Sequence, residues 1–352
     1  MAFRAAQRNR APATAMKPLA DPAGWNAKEL AADDSWVYDL SGDEIEDICR
    51  AVAEVERGGR NILDITRDSF ALPVLDHGLV LLHDEILEGR GFVLIRGLPI
   101  DRFSKTQAAI AFWGIGARFG RALSQNREGH MLGHVKDFGG DYNDISVRGY
   151  QTNAEMSFHS DQCDNVALLC IHPSKSGGAS RIASLVTIYN EMLSRRPDLV
   201  EALTGEFYLT RHGEIPSGEP PWYKLPVFSF HDGYFAGRGA GNHVMKAQEL
   251  SGVPPFTDAQ REAFDVFAAT ARTTYFDMEF RPGDIQILNN HVTVHTRTAF
   301  EDWPEPERKR HLIRLWLHDS SRPLVPGFRE NIQGVEIAGM TLCAPVDSFE
   351  AA

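Results

Sequence analysis

The sequence predicts a mixed α/β chain with an all-β core: a double-stranded β-helix, or jelly roll, with helices packed outside it. Three observations support this. The first half is patterned mainly at helical spacing, with a strand or two. From about Phe158 onward, short runs of period-two alternation are separated by Gly, Pro and Asn clusters. No internal repeat, low-complexity block or long linker divides the 352 residues, so helices and strands are expected to share one core.

The elements follow in chain order. Residues 1–25 are expected to form a flexible basic extension. Arg4, Arg8, Arg10 and Lys17 have no acid among them, and the absence of an apolar run argues against a secretory signal. An organelle presequence would share this composition. Residues 26–352 are expected to form a single domain. Ser41 precedes Gly42-Asp43-Glu44, and Ile45, Ile48, Ala51, Val52 and Val55 recur at helical spacing up to Gly58-Gly59. Phe92 to Arg96, between glycines, reads as a buried strand, and Lys105 to Phe119 as a helix. Two further helices are expected at Leu185–Leu193 and from Pro197 to Gly205. Pro282-Gly283-Asp284 is a turn, with strands at Ile285–Leu288 and His311–Leu317.

Composition narrows the functional classes. A formal net charge of −12 with 24% charged residues gives no global electrostatic reason to bind nucleic acid or an anionic membrane surface. No apolar run reaches the ~18 residues of a membrane span. The four cysteines form no CxxC pair and no disulfide framework. A cytoplasmic protein acting on a small molecule is expected, with homo-oligomerisation left open.

The chemistry lies in four motifs. In Phe158-His159-Ser160-Asp161, positions i and i+2 of a strand would present an imidazole and a carboxylate on one face. Those are two of the three donors of a 2-His-1-carboxylate iron site. Such a pair also arises by chance or as a surface hydrogen bond. Asn289-Asn290-His291-Val292-Thr293-Val294-His295 offers a third donor, with His291 and His295 competing for the role. In Arg310-His311-Leu312-Ile313-Arg314-Leu315-Trp316-Leu317, both arginines share one strand face. Buried guanidinium groups are costly without anions and suit bidentate capture of a carboxylate, whether of the protein or of a ligand. Ser176-Gly177-Gly178-Ala179-Ser180 is a Gly-Gly turn presenting a hydroxyl.

Taken in order, these four motifs resemble the TauD/TfdA family of Fe(II)- and 2-oxoglutarate-dependent dioxygenases, with the likeness running from about residue 90 to 320. The resemblance implies a jelly-roll fold and His159, Asp161 and His295 as iron ligands, favouring His295 over His291. It implies that Arg314 pairs with the distal carboxylate of 2-oxoglutarate and that Arg310 is a second basic residue near it. Ser180 stands where the family usually has Thr, which keeps the hydroxyl. Ala179 departs from the acid usual at that position. Asp161 stands where related halogenases carry a small residue, which favours oxidation without halide.

The implied activity couples decarboxylation of 2-oxoglutarate to succinate with hydroxylation of an unactivated C–H, using O2. Asn153, Glu155, Gln125 and Arg297 are the candidate substrate residues, with Asn126 beside them; Trp222, Tyr223 and Arg238 could line a lid. The flanking loops are expected at about residues 122–157 and 206–245. Two rivals use the same residues differently: a Zn-dependent hydrolase with an activated water, and a non-catalytic jelly-roll binding protein.

Overall fold

The computed structural model describes residues 3–140, 149–239 and 241–346. Residues 141–148, within the expected loop 122–157, lie outside the described residues. The chain forms a mixed α/β structure built on one seven-stranded sheet and a smaller three-stranded one. In the large sheet, Val37–Asp39, Phe92–Arg96, Ile285–Asn289, Asn165–His172 and His311–His318 lie side by side, and Arg121–Leu123 and Gly133–Val135 both pair with the last. Only the first pairing is parallel. The small sheet runs Phe276–Met278, Ser180–Ser184, Thr293–Arg297, all antiparallel.

Strands consecutive in sequence fall in different sheets. Asn165–His172 leads to Ser180–Ser184, and Ile285–Asn289 leads to Thr293–Arg297. The facing sides share one apolar layer: Phe92, Leu94, Val166, Leu288 and Trp316 from the large sheet meet Ile182, Phe276 and Met278 from the small one. Each outer face is covered by helices. Ile48, Leu79 and Phe112 pack on Ile95, Leu169, Ile313 and Leu315 of the large sheet. Leu185, Ile188, Leu199 and Phe267 pack near Ala183 and Val294 of the small one. The period-two pattern of His311–His318 explains its place. Ile313, Leu315 and Leu317 face the helices, while Leu312 and Trp316 face inward with the two arginines.

Local signals set the helix ends. Ser41 accepts from the Glu44 N–H while the Glu44 carboxylate accepts from Ser41, and the helix Gly42–Arg57 follows. Ser104 and Gln107 cap Lys105–Gly116 in the same way. Helices Leu185–Arg195 and Pro197–Thr204 start where expected. No helix among the described residues is long and apolar enough to cross a membrane.

The N-terminal segment corrects an expectation. Instead of hanging loose, residues 3–25 lie on the body with little regular structure. The Ala6 N–H donates to Glu85 (2.8 Å), Arg8 pairs with Asp84, and Arg10 pairs with both Asp21 and Glu88. Leu19 and Asn190 exchange two hydrogen bonds, and the Tyr189 hydroxyl donates to the Lys17 carbonyl. Two of the basic side chains, Arg8 and Arg10, are held by Asp84 and Glu88 of the helix Asp76–Glu88, so their charge serves to dock the strip.

Asp164 joins two distant segments of the chain. It accepts from His291 Nε2 (2.7 Å), His318 Nδ1 (2.7 Å) and the Asp319 N–H (2.9 Å). Burial alone would raise its carboxyl pKa. The bonds from His291 and His318 outweigh that and hold it well below the usual carboxylate range. A carboxyl depressed in the folded state stabilises the protein above the unfolded value of about 3.9, and that contribution is lost as pH falls through the folded value. Asp164→Asn is therefore expected to lower stability by about 3 kcal/mol or more at pH 7, with the gap from wild type starting to narrow below about pH 4. Thermal unfolding of both proteins across pH checks this; a gap that widens in acid would contradict it.

Candidate active site

Backbone pairing places the two imidazoles. Thr293–Arg297 pairs along one edge with Ser180–Ser184, and on its other edge His295 forms a single antiparallel bridge with His159. The His159 N–H donates to the His295 carbonyl and the reverse bond is made, both at 2.9 Å. The rings lie 4.4 Å apart. Gly239 permits this approach, because a Cβ there would meet the His159 backbone at 2.9 Å. Asp161 follows in an irregular turn with its Oδ2 3.7 Å from His295 Nε2.

Donor atoms of His159, Asp161 and His295 all lie within 4.8 Å of one another, the one such group of three among the described residues. His159 Nδ1 lies 2.9 Å from the Ser157 carbonyl, an acceptor only, so Nδ1 carries the proton and Nε2 keeps its lone pair. Asp161 Oδ2 is buried with no hydrogen-bond partner. Burial would raise the Asp161 pKa, but Arg314, His295 and His159 outweigh it and bring it to about 2. Burial and then the neighbouring His159 lower His295 to about 3. At neutral pH His295 is a neutral donor and Asp161 an anionic one, as a divalent first-row metal requires. The orphaned carboxylate oxygen and the converging nitrogens fit such an ion. His291, the competitor, is buried on Asp164 and lies outside the cluster.

Two cavities meet at this centre. The larger, about 560 Å³, is lined by His159, Asp161, Arg314 and Trp316 on one side and by His212, His243 and Lys246 on the other. The smaller, about 50 Å³, is bordered by Ser180, His295, Arg297, Arg310 and Arg314, with Leu168, Phe280 and Leu312 as apolar walls. Tyr150, Met156, His159 and Arg314 border both.

The two expected arginines differ in surroundings. Arg314 Nε donates to Gln125 Oε1 (2.8 Å), its Nη1 lies 3.4 Å from Asp161 Oδ1, and its guanidinium lies over the Tyr150 and Trp316 rings. Arg310 is buried over Phe300, its Nη1 has no hydrogen-bond partner, and burial lowers its pKa to about 10. The Gly-Gly turn makes room for it. Gly177 and Gly178 have φ of 70° and 72°, and a Cβ on Gly178 would sit 3.1 Å from Arg310 Nε. Ser180 Oγ donates to Gln286 Oε1 (3.1 Å).

The candidate substrate residues fare unevenly. Arg297 is buried on the smaller cavity, over Phe300, and donates to the Ala154 carbonyl. Gln125 faces no cavity: it is buried, holding Arg314 and donating to the Met131 and Arg314 carbonyls. Glu155 is exposed and pairs with Arg181, and Asn153 is exposed; neither lines a cavity. Asn126 bonds His130. Trp222, Tyr223 and Arg238 also lie off both cavity walls. The wall formed by His212, His243 and Lys246 was not singled out from the sequence, since no motif marks it. Trp316 and Asn290 were in view inside quoted motifs but carried no assigned role.

Comparisons with known proteins agree with this geometry. The model of the family described as "Taurine catabolism dioxygenase TauD, TfdA family" matches residues 61–316. FR-33289 synthase of Streptomyces rubellomurinus is 29% identical over 312 residues, covering 86% of this chain and 91% of that protein. A taurine hydroxylase-like protein of Stachybotrys chartarum is 28% identical over 310 residues, covering 84% and 79%. Among solved structures, asparagine oxygenase in complex with Fe(II), hydroxyasparagine and succinate superposes with a TM-score of 0.65 at 18% identity, over 80% of this chain and 93% of that one. The non-heme iron oxygenase OrfP with Fe, succinate and hydroxyarginine gives 0.61 at 15%, over 80% and 94%.

Removing one donor should disable the metal centre. Asp161→Ala and His295→Ala are each expected to lose at least about a hundredfold in Fe(II) affinity, measured by anaerobic equilibrium dialysis of the whole protein. Retention of one tightly held Fe(II) per chain in either variant would contradict the assignment.

Proposed function

The chain belongs to the TauD/TfdA family, and on that premise we propose a non-haem Fe(II)- and 2-oxoglutarate-dependent dioxygenase, a single jelly-roll domain that hydroxylates an unactivated C–H of a small organic substrate. One juxtaposition supports it best. Three metal donors, one with an orphaned oxygen, border the same small cavity system as a buried guanidinium that has no carboxylate partner. A hydrolytic metal site would need the donors but leaves the buried Arg310 without purpose. A simple binding module accounts for neither.

Each residue then has a task. His159, Asp161 and His295 would hold the iron. Iron with 2-oxoglutarate and O2 supplies the oxidation, coupled to release of succinate and CO2. The resemblance assigned the distal carboxylate to Arg314; the surroundings favour Arg310 with Ser180. Arg310 carries an uncompensated buried charge, whereas Arg314 is already engaged by Gln125 and faces Asp161. Leu168, Leu312 and Phe280 suit the methylene carbons of a dicarboxylate. Arg314 fixes the Asp161 carboxylate by its Oδ1 and borders the larger cavity, where the substrate would sit facing His159 and the wall of His212, His243 and Lys246. That wall is mostly polar, which favours a polar substrate over an apolar one.

Anaerobic addition of Fe(II) and 2-oxoglutarate to the whole protein should give the weak visible charge-transfer band of the chelate, and admitting O2 should release succinate. No band and no succinate would overturn the proposal. Arg310→Ala should raise the 2-oxoglutarate KM at least about thirtyfold, from loss of about 2 kcal/mol or more of charge pairing. Ser180→Ala should raise it only several-fold. A KM in Arg310→Ala equal to that of wild type, with Arg314→Ala raising it instead, would return the anchor to Arg314.

A further inference from the structure

Backbone pairing explains the placement of both imidazoles but not of Asp161. His159 and His295 are locked together by the two bonds of their bridge. Asp161 lies two residues beyond that bridge, in a turn that belongs to no strand until Asn165. Some other contact must hold its peptide in register with His295.

Asn290 makes that contact. Its Oδ1 accepts from the Asp161 N–H (3.1 Å), and its Nδ2 donates to the Cys163 carbonyl (3.1 Å) and lies 3.2 Å from Cys163 Sγ. Its own N–H donates to the Asp164 carbonyl (2.9 Å). Both ends of one amide and one backbone group thus grip the turn 161–164 from inside, and the side chain is 1% exposed. Asn290 sits in the short turn that joins Ile285–Asn289 of the large sheet to Thr293–Arg297 of the small one, the strand carrying His295. The amide puts its acceptor and its donor on separate atoms, and both are used here. Leucine would offer neither, and aspartate would lose the donor and add a second charge beside Asp161.

We infer that Asn290 is a positioning residue that fixes the Asp161 ligand relative to His295, and so sets the strength and geometry of metal binding without touching the metal. This rests on the proposed reading of the three donors as an iron site. A neighbour supplies the control. Asn289 is equally buried, but its amide bonds away from the turn, donating to the Ile86 carbonyl and accepting from the His291 N–H.

The test is an anaerobic Fe(II) titration of the whole protein at saturating 2-oxoglutarate, followed through the charge-transfer band, with melting temperatures of the metal-free proteins alongside. Asn290→Ala should weaken Fe(II) binding roughly ten- to hundredfold and shift the band maximum. Asn289→Ala should lose a comparable amount of thermal stability yet keep the wild-type affinity within about twofold and the wild-type band. Should Asn290→Ala fail to fold, Asn290→Ser is read by the same criteria. Wild-type affinity and band in the Asn290 variant, or equal losses in both variants, would overturn the inference while leaving the dioxygenase reading intact. A wild-type protein that gives no band sinks the dioxygenase reading itself.

Discussion

The site depends on a single two-residue bridge. Thr293–Arg297 is the last fully paired strand of the small sheet, and beyond it the chain is joined by the His159–His295 bridge, with the Met156 N–H donating to the Arg297 carbonyl (3.2 Å) beside it. Both residues must present imidazoles, so bridge and metal centre are one object. A longer pairing would bury the His159 side of the site under further strand. No pairing would leave the two imidazoles joined only through contacts of their neighbours, such as Asn290 with the Asp161 N–H. One bridge, with a glycine at 239 to admit it, gives a preformed pair that is still open to a cavity.

Around that pair the charges are deliberately unbalanced. Arg310 and Arg314 are both buried and border one small cavity; among the described residues Arg314 lies 3.4 Å from the Asp161 carboxylate, and Arg310 Nη1 has no hydrogen-bond partner. Buried guanidinium groups without anions are costly. On the proposed reading, a dicarboxylate entering beside Arg310 would offset that cost. The aromatic rings under each guanidinium (Phe300 for Arg297 and Arg310, Tyr150 and Trp316 for Arg314) lower the cost of keeping the groups dry in the meantime.

Much of this was legible in the sequence, for local reasons. Alternation along Arg310–Leu317 assigned both faces of that strand, and Ser41 and Pro197 marked helix starts that the structure shares. The three candidate donors were visible as a motif, but the expected strand face for His159 and Asp161 was not: His159 makes a single bridge and Asp161 lies in a turn before the strand that starts at Asn165. The division of labour between Arg310 and Arg314 was not, since it depends on partners such as Gln125 that reach across the sheet. Gln125, Asn153 and Glu155 looked substrate-facing because polar loop residues before a metal strand usually have nowhere else to go, and long-range contacts decided otherwise. The helix Asp258–Thr274 carries a capping box at Thr257 and Gln260 that the sequence reading passed over. The wall formed by His212, His243 and Lys246 combines a turn residue with two from the short helix Gly241–Ala247, so only the fold brings it to the cavity.

The docked N-terminal strip has a mechanical consequence. Between residues 6 and 19 it touches the helix Asp76–Glu88, which backs one sheet, and the helix Leu185–Arg195, which backs the other. It therefore runs like a tie-rod across both ends of the sandwich, outside the sheets and independent of their pairing. Cutting or crowding it would remove one link between the two halves, and across the seam between them the large sheet's Arg310 and Arg314 and the small sheet's Ser180 and His295 border one cavity.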